Sequence, residues 1–268
     1  MQTFKSIVEI DDLPEERFDP AQWTAVIPAA GRGSRLGFPH PKILYPLLNR
    51  PILDWLIDAL ETVVKNFVFV LSPHGRELVE PILQRRLYGR FKVVIQDDPT
   101  GMGDAVLLTK NAVDTRFTLV IWGDQVTVSA RTLKICTTLH ESRAAALTLP
   151  SYMRLDPYID LVRDEGGKLI AVHQSREGEI ANEVGENDCG VFLFTSEILF
   201  QVLADARKSE LGIGMNTREF NLLPILPKFE SELGSVCTLR IHNMEETLGV
   251  NTKEEAKHVE EILQKRVL

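Results

Sequence analysis

Apolar and polar positions follow two different rhythms along the first half of the chain. Short, mostly apolar runs lie at residues 25–27, 67–71, 93–95 and 117–121. Between them, residues 52–64 and 104–112 place apolar side chains three and four positions apart, as an amphipathic helix does. Apolar runs that alternate with helical segments are typical of βαβ units. We therefore predict an α/β fold with a Rossmann-like, mixed but mostly parallel sheet.

A different pattern begins after residue 149. Residues 158–163 and 168–173 flank Asp164-Glu165-Gly166-Gly167, a turn sequence whose glycines can adopt positive φ. This arrangement predicts a β-hairpin. It also predicts that the sheet is extended by antiparallel strands in a hairpin-rich lobe.

The last segment, residues 253–267, has the periodicity of a surface helix. Apolar side chains recur there among charged ones at steps of three and four: Ala256, Val259, Ile262 and Leu263. Thr252 is the predicted N-cap, and Glu255, three residues further on, would complete a capping box. The pattern predicts an amphipathic helix at the end of the chain.

Composition limits the classes of function. The chain has 268 residues, of which 44% are hydrophobic, which is enough for one large α/β domain. Its formal net charge of -8 opposes binding to nucleic acid, whose phosphates are held by clustered Lys and Arg. No apolar run approaches the roughly 20 residues of a membrane span. We therefore predict small-molecule partners, with no nucleic acid and no membrane, and we allow for a homo-oligomer.

Two further features bear on location and on domain boundaries. Residues 1–23 are acidic and lack the basic start and the apolar run of a signal peptide. Cys136, Cys189 and Cys237 lie far apart and form no Cys-x-x-Cys pair, so neither a disulfide framework nor a structural zinc site is supported. We expect a cytoplasmic protein with an acidic N-terminal segment, 1–23, and one domain, 24–268.

A glycine-rich loop follows the first predicted strand. Its sequence is Ala29-Ala30-Gly31-Arg32-Gly33-Ser34-Arg35-Leu36-Gly37, and Pro41-Lys42 comes shortly after. Small residues let backbone N–H groups approach a phosphate chain, and Arg32, Arg35 and Lys42 supply the countercharge. The spacing matches neither a Walker loop nor the dinucleotide pattern, for which Gly37 falls one position late. By itself the loop is equally compatible with an ordinary tight turn.

The order of these motifs resembles the sugar-nucleotide pyrophosphorylases, and most of all their N-acetylglucosamine-1-phosphate uridylyltransferase domains. The resemblance rests first on Ala29-Ala30-Gly31-x-Gly33-Ser34-Arg35-Leu36 and Pro41-Lys42, and it covers roughly residue 24 to the C-terminus. It implies a glycosyltransferase-A-like nucleotidyltransferase fold with a sugar-binding lobe. It also implies that four loop residues bind the nucleotide: Ala29, Ala30, Gly31 and Gly33.

A base-reading segment is implied by the same resemblance. Gln96-Asp97-Asp98-Pro99-Thr100-Gly101-Met102-Gly103 is similar to the family's segment in which a Gln and a following glycine turn meet the nucleobase. A Gln amide both donates and accepts hydrogen bonds, as uracil and thymine require. Gln96, Gly101 and Gly103 are therefore predicted to bind the nucleotide, and UTP is favoured.

Two residues far apart in the sequence imply a magnesium site. Trp122-Gly123-Asp124 resembles the family's Gly-Asp metal site, and Gly249-Val250-Asn251-Thr252 matches the segment that carries its second ligand. Carboxylate and amide oxygens suit Mg²⁺. Each residue alone has an ordinary alternative, a turn or helix cap for Asp124 and a helix cap for Asn251. Mg²⁺ held by Asp124 and Asn251 is the predicted cofactor.

The predicted sugar side departs from the family pattern. Asp188-Cys189-Gly190 stands where the family has Asn-Thr-Gly, and Gln174 stands where a Glu commonly binds sugar hydroxyls. The predicted sugar-binding residues are Gln174, Asp188 and Gly190. Ile159 replaces a family glycine and should crowd the sugar pocket. Arg176 could contact the substrate phosphate, but it is ranked below Gln174, because a charged residue after a hairpin is usually solvated.

The implied reaction is an in-line displacement in which a hexose or N-acetylhexosamine 1-phosphate attacks the α-phosphorus of the nucleotide and pyrophosphate leaves. The nucleophile is already an anion, so positioning and charge neutralisation suffice. Arg35 would hold the pyrophosphate and Lys42 the α-phosphate, and with Asp124 they are the predicted catalytic residues. Two alternatives stay open: a cytidylyltransferase that acts on an alcohol phosphate, and a non-catalytic module that binds a nucleotide sugar.

Overall fold

The computed structural model describes residues 6–12, 18–31, 33–230 and 234–267. Within these ranges the chain adopts the predicted α/β fold. The strands are β1 (Ile7–Glu9), β2 (Trp23–Pro28), β3 (Pro46–Leu47), β4 (Arg50–Pro51), β5 (Asn66–Leu71), β6 (Phe91–Ile95), β7 (Phe117–Ile121), β8 (Leu147–Leu155), β9 (Ile159–Arg163), β10 (Leu169–Gln174), β11 (Val184–Asp188), β12 (Val191–Thr195) and β13 (Val236–Arg240). The α-helices are α1 (Ile52–Leu60), α2 (Pro73–Leu87), α3 (Met102–Leu108), α4 (Ala130–Ser142), α5 (Ser196–Lys208) and α6 (Lys253–Val267).

One mixed sheet contains nine of the described strands. Its order is β1-β13-β8-β12-β7-β2-β5-β6, and β11 pairs with the second half of β8. β2 is parallel to β5 and β7, and β5 is parallel to β6, so the four predicted apolar runs form a parallel half-sheet. β12 is antiparallel to both of its neighbours, β7 and β8. The predicted mixed, mostly parallel sheet is confirmed.

Both faces of the central strands are buried, which explains their continuous apolar runs. Every residue of β2 and of β7 is buried. Successive side chains of a strand point to opposite faces, and here Ala25 and Ile27 pack in one hydrophobic cluster while Val26 packs in the other. The sheet is therefore a middle layer between two cores, as a parallel sheet requires.

Two predicted helices end earlier than expected. α1 stops at Leu60 rather than at residue 64, because Val63 and Val64 are buried in the turn that leads into β5. α3 stops at Leu108 rather than at residue 112, and a short 3-10 turn, Thr109–Asn111, follows it. Apolar spacing reports burial, and burial continues through a turn, so the pattern overruns the helix ends.

The predicted helix at the end of the chain, α6, is confirmed together with its cap. Thr252 Oγ1 accepts a 3.1 Å hydrogen bond from the Glu255 amide, and Glu255 Oε2 accepts one of 2.9 Å from the Thr252 amide. This is a capping box. Glu255 Oε2 also accepts a 2.7 Å hydrogen bond from the amide of Asn251, so the capping box also fixes the backbone of Asn251.

The hairpin at β9 and β10 forms as predicted, but it does not extend the main sheet. The two strands make a separate two-stranded sheet, and the antiparallel extension is the pair β8 and β11 instead. Between β9 and β11, side chains take the place of a backbone ladder. Asp160 Oδ1 accepts from the Glu186 amide at 3.0 Å, and Asn187 Oδ1 accepts from the Ile159 amide at 3.0 Å.

A buried ion pair also attaches this hairpin to the sheet. Arg163 of β9 donates a 2.7 Å hydrogen bond to Glu186 of β11, and its Nη2 donates one of 2.7 Å to Thr238 of β13. Ser151 of β8 donates to the same carboxylate at 2.6 Å. The lobe is therefore held against the sheet by polar side chains, a kind of contact that hydrophobic periodicity does not report.

The N-terminal segment contributes to the main sheet. Residues 7–9 form the edge strand β1, which runs parallel to β13. Trp23, the last residue assigned to the segment, is fully buried at the start of β2. The division into residues 1–23 and 24–268 stays a prediction. Among the described residues, no helix is both long and apolar enough to cross a membrane.

Candidate active site

A cavity of about 520 Å³ opens at the carboxyl ends of β2, β6 and β7, where α/β sheets commonly bind ligands. β2 leads directly into the glycine loop, β6 into Gln96, and β7 into Trp122-Gly123-Asp124. The lobe closes the other side with residues from β9, β10 and β11. The cavity is lined by all but one of the predicted site residues: Ala29, Ala30, Gly31, Gly33, Arg35, Lys42, Gln96, Gly101, Asp124, Gln174, Asp188, Gly190 and Asn251.

Lys42 joins the two predicted metal ligands. Its Nζ donates a 2.9 Å hydrogen bond to Asn251 Oδ1 and a short one to Asp124 Oδ2. The backbone supports the same contact, since the Val250 amide donates to the Asp124 carbonyl at 3.2 Å. A Cβ at Gly249 would lie 3.5 Å from Asp124 Cγ and 3.6 Å from Asn251 Nδ2. Two oxygens from distant parts of the chain therefore face one cation.

Arg35 lies at the edge of this arrangement. It sits in a 3-10 turn, Ser34–Leu36, whose Leu36 is buried in the core. The exposed Arg35 side chain donates from Nη2 to Asn251 Oδ1 at 3.3 Å. Arg35 and Lys42 thus converge on the same amide oxygen. Arg32, the other arginine of the loop, lies outside the described residues.

The structure gives a reason for glycine at residue 33 that the sequence did not show. Its φ is +59°, and a Cβ there would lie 2.7 Å from the Cβ of Lys42. Glycine allows both the left-handed backbone and the close passage of the Lys42 chain. At Gly31, by contrast, an added Cβ would meet no atom within 4 Å. The loop therefore positions Lys42 as well as exposing backbone amides.

The predicted base-reading segment packs against a loop from late in the chain. Gln96 is buried and donates from Nε2 to the Gly101 carbonyl at 3.4 Å. Gly101 has φ +124°, and a Cβ there would lie 2.4 Å from the Phe220 carbonyl oxygen. The Gly103 amide donates to that oxygen at 2.8 Å, and Gly103 is the one predicted site residue outside the cavity lining. Packing against Phe220 by itself requires glycine at residue 101.

On the predicted sugar side, Asp188 and Gly190 form one tight turn. Gly190 has φ +69°, and its amide donates to Asp188 Oδ1 at 2.6 Å. Burial raises the pKa of the Asp188 carboxyl to about 6, against the lowering effect of hydrogen bonds from the Gly190 amide and from its own amide. Asp188 therefore exchanges its proton closer to neutral pH than an exposed carboxyl.

Three residues that the sequence ranked low or missed also line the cavity: Arg176, Glu219 and Asn221. Arg176 donates to Gln174 Oε1 at 3.2 Å, to Glu219 Oε2 at 3.2 Å and to Asn221 Oδ1. Arg176 is therefore not merely a solvated residue after the hairpin, because its side chain has three hydrogen-bond partners. Its position two residues after Gln174 was the available signal, whereas no motif marked Asn221.

The donor set at Asp124 and Asn251 fits a hard cation. The described residues contain no group of three or more His, Cys, Asp and Glu side chains that could hold a metal ion. Mg²⁺, however, is commonly held by one or two protein oxygens together with substrate phosphates. The oxygens of Asp124 and Asn251 already share one positive charge, the Lys42 ammonium.

A parallel α/β sheet whose carboxyl edge joins a glycine loop, basic side chains and a carboxylate–amide pair is the arrangement of a nucleotide-dependent phosphoryl or nucleotidyl transferase. The chain belongs to the MobA-like NTP transferase domain family, whose sequence model matches residues 25–188. This range contains the glycine loop, Gln96, Asp124 and Gln174, and ends at Asp188.

Curated relatives extend the match over most of the chain. The bifunctional protein GlmU of Alkaliphilus metalliredigens is 27% identical over 248 residues, which are 91% of this chain and 52% of that protein. The protein of the same name from an Exiguobacterium species is 29% identical over 250 residues, 90% of this chain and 53% of that protein. The chain spans about half the length of these curated relatives. The predicted resemblance to sugar-nucleotide pyrophosphorylases is confirmed.

The fold also matches a solved structure. The crystal structure of a UDP-glucose pyrophosphorylase complexed with UDP-glucose superposes with a TM-score of 0.67 at 18% sequence identity, covering 91% of this chain and 98% of that one. At this identity the likeness concerns the fold. It confirms the predicted class of α/β nucleotidyltransferase fold.

Proposed function

We propose that this protein is a sugar-1-phosphate nucleotidyltransferase that uses UTP and Mg²⁺ and releases pyrophosphate. The observation that carries the proposal is the meeting of Asp124 and Asn251 at the ammonium of Lys42, beside the glycine loop. Family membership supports the transfer of a nucleotidyl group. The name of the solved neighbour, a UDP-glucose pyrophosphorylase, supports a sugar phosphate as acceptor and UTP as donor.

Charge neutralisation is the task of the basic side chains. Lys42 would contact the α-phosphate, where charge spreads over the oxygens in the transition state, and the exposed Arg35 would contact the departing pyrophosphate. Both side chains already contact Asn251 Oδ1 and therefore lie beside the position proposed for the phosphates. The attacking sugar phosphate is an anion, so the reaction needs no general base.

Asp124 and Asn251 would hold Mg²⁺ through one carboxylate and one amide oxygen. When bound, the ion supplies Lewis acidity and a template for the phosphate groups. Lys42 would then turn from Asp124 to the nucleotide, so that its ammonium and the cation share the substrate's negative charge. The same Asp124 carboxylate therefore holds Lys42 in place before substrate binds.

Gln96 is the proposed contact for the base. Its amide nitrogen is used by the Gly101 carbonyl, so the amide oxygen is the group that would accept from the N3–H of uracil. Gly101 and Gly103 keep this turn close to Phe220, and Ala29, Ala30, Gly31 and Gly33 would lie along the phosphates.

The sugar would occupy the lobe side of the cavity, between Gln174, Asp188 and Gly190. Ile159 lines the same space, and its backbone is fixed by Asn187. Because Ile159 is larger than the glycine of the family pattern, we infer that the sugar differs from N-acetylglucosamine. A cytoplasmic location and a homo-oligomer are part of the proposal only as predictions from composition.

Pyrophosphate release is the measurement that tests this function. The purified protein is incubated with Mg²⁺, each of the common nucleoside triphosphates, and a panel of sugar 1-phosphates and alcohol phosphates. Release that requires a sugar 1-phosphate and is fastest with UTP is the expected result. Release with CTP and an alcohol phosphate alone would select a cytidylyltransferase. Tight binding of a nucleotide sugar without release in any combination would select a non-catalytic module.

A further inference from the structure

Arg176 is the centre of a polar cluster on the lobe side of the cavity. The proposed metal ligands, Asp124 and Asn251, belong to other segments of the chain, after β7 and before α6. Arg176 lies in the 3-10 turn Ser175–Glu177 that follows β10, and three of its five N–H groups are engaged by described residues. Two of these partners, Gln174 and Asn221, are amides that accept through their oxygens. The third, Glu219, pairs at 3.2 Å and is partly exposed.

The bond from Arg176 determines which end of the Gln174 amide stays unpaired. Because Oε1 accepts from the guanidinium, the amide nitrogen is the remaining group, and its hydrogens can only donate. Gln174 is 1% exposed, and its Nε2 has no hydrogen-bond partner among the described residues. A buried donor of this kind favours a ligand that brings an acceptor. Gln174 and Arg176 both line the cavity, and their groups without an acceptor in the described part of the chain are the Gln174 amide nitrogen and the remaining N–H groups of a guanidinium that is paired with Glu219.

The cluster is also preorganised. Glu177, next to Arg176, accepts 2.8 and 2.7 Å hydrogen bonds from Asn216 and Thr217 and so fixes the turn to the loop that carries Glu219. That loop is held in turn at the base-reading segment, where the Phe220 amide donates to the Thr100 carbonyl at 2.9 Å. Because the turn and the loop around Arg176 are both fixed, the Arg176 side chain loses little conformational freedom when a ligand binds.

We propose that Gln174 and Arg176 form an oxyanion subsite for a carboxylate on the sugar, so that the enzyme prefers a hexuronic acid 1-phosphate to the neutral hexose 1-phosphate. This inference rests on the proposed function. A carboxylate accepts from both the amide and the guanidinium and offers no donor that would be left unpaired. A hydroxyl fills one bond and brings no charge, and hydrogen bonds to charged groups are about twice as strong as neutral ones. Glu219, being partly exposed, can give up its contact to water when the substrate carboxylate arrives.

The first arm of the test uses the unmodified protein. Pyrophosphate release is measured with UTP and Mg²⁺ on two matched pairs that differ only at C6: glucuronic acid and glucose 1-phosphates, and galacturonic acid and galactose 1-phosphates. We expect kcat/KM to be about tenfold higher for the acid in at least one pair, which corresponds to about 1.4 kcal/mol. A ratio near one, or a preference for the neutral sugar, in both pairs overturns the subsite.

The second arm uses Arg176→Met, with Arg176→Lys as a variant that keeps the charge but lacks the planar fork. The acid-to-neutral ratio should fall to about one in Arg176→Met and be partly retained in Arg176→Lys. Arg131→Met, which removes an exposed arginine of α4 paired only loosely with Asp11 at 3.9 Å, should leave the ratio unchanged. An unchanged ratio in Arg176→Met, with both substrates weakened alike, would place Arg176 on the common phosphate and refute the proposal.

Calorimetric binding separates this inference from the proposed function. The same sugar phosphate pairs are titrated into protein that contains Mg²⁺ and a non-hydrolysable UTP analogue. Tighter binding of the acid, without pyrophosphate release in the assay with UTP, would count against the proposed transferase function but not against the subsite. Release with neutral sugars and no binding preference for the acid would leave the transferase standing and remove the subsite.

Discussion

Lys42 and Asn251 are joined by a 2.9 Å hydrogen bond across 209 residues of sequence. The contact brings the loop after the first parallel strand to the segment that caps the last helix. It places the Lys42 ammonium, rather than a catalytic base, at the centre of the candidate site. Replacement of Lys42 is therefore the most direct test of how the site works.

Lys42→Ala should lower kcat for pyrophosphate release about 100- to 1,000-fold, the usual cost of losing one preorganised contact to transition-state charge. Steady-state kinetics with UTP and a sugar 1-phosphate measures the effect. Lys110→Ala, at an exposed lysine of a 3-10 turn, is the matched control and should retain the full rate. A fully active Lys42→Ala would contradict the role given to the ammonium.

Asp124→Asn should raise the Mg²⁺ concentration that gives half-maximal activity by about 100-fold, since a direct ligand matters at least as much as the outer-shell partners of metal sites. The measurement is a Mg²⁺ activation curve at saturating substrates. Asp114→Asn, at a carboxylate whose side chain is 75% exposed, should leave the curve unchanged. If both variants respond alike to Mg²⁺, Asp124 does not hold the ion.

Gly101→Ala should destabilise the fold by about 1–3 kcal/mol, because the residue has φ +124° and its Cβ would meet the Phe220 carbonyl at 2.4 Å. Urea unfolding followed by circular dichroism measures the change in free energy. Gly31→Ala is the control, since no atom lies within 4 Å of its added Cβ. Equal stability of the two variants would mean that Phe220 moves aside easily.

Asp188→Asn should change how stability depends on pH. The folded pKa of about 6 lies above the ordinary carboxyl value of 3.8, so this carboxyl contributes stability that is complete below pH 3.8 and is lost as pH rises through 6. Native protein should therefore lose up to about 3 kcal/mol from this group between pH 4 and pH 8, a loss that the asparagine variant avoids.

The measurement for Asp188 is the difference in unfolding free energy between the two proteins, taken from urea titrations at several pH values. The asparagine Oδ1 can still accept from the Gly190 amide, so the main contact of the turn is kept. A difference that stays constant from pH 4 to pH 8 would show that the carboxyl does not titrate with a raised pKa.

The central strands were predictable because each lies between two cores and is apolar throughout. The runs at residues 67–71 and 117–121 coincide with β5 and β7 to within one residue. The hairpin at β9 and β10 was equally clear from its glycine turn. Its attachment was not, because it depends on Asp160 and Asn187, whose side chains bond to backbone amides of another strand.

The candidate site divides in the same way. The glycine loop, Gln96 and the Gly123-Asp124 pair follow strand ends, and strand ends of a parallel sheet meet at one edge, so their neighbourhood followed from sequence order. Asn251 was identified only by resemblance. Glu219 and Asn221 were missed, since they belong to an irregular loop whose place is set by Phe220 against Gly101.

The sequence by itself determined the class of fold, the position of the glycine-rich loop and the kinds of groups available for chemistry, because periodicity, glycines and residue types are local properties. Only the tertiary structure decided which of those groups share a partner. Lys42 with Asp124 and Asn251, and Arg176 with Glu219 and Asn221, are contacts between segments that are distant in the chain. Their geometry depends on how the whole sheet and lobe pack, which no local pattern encodes.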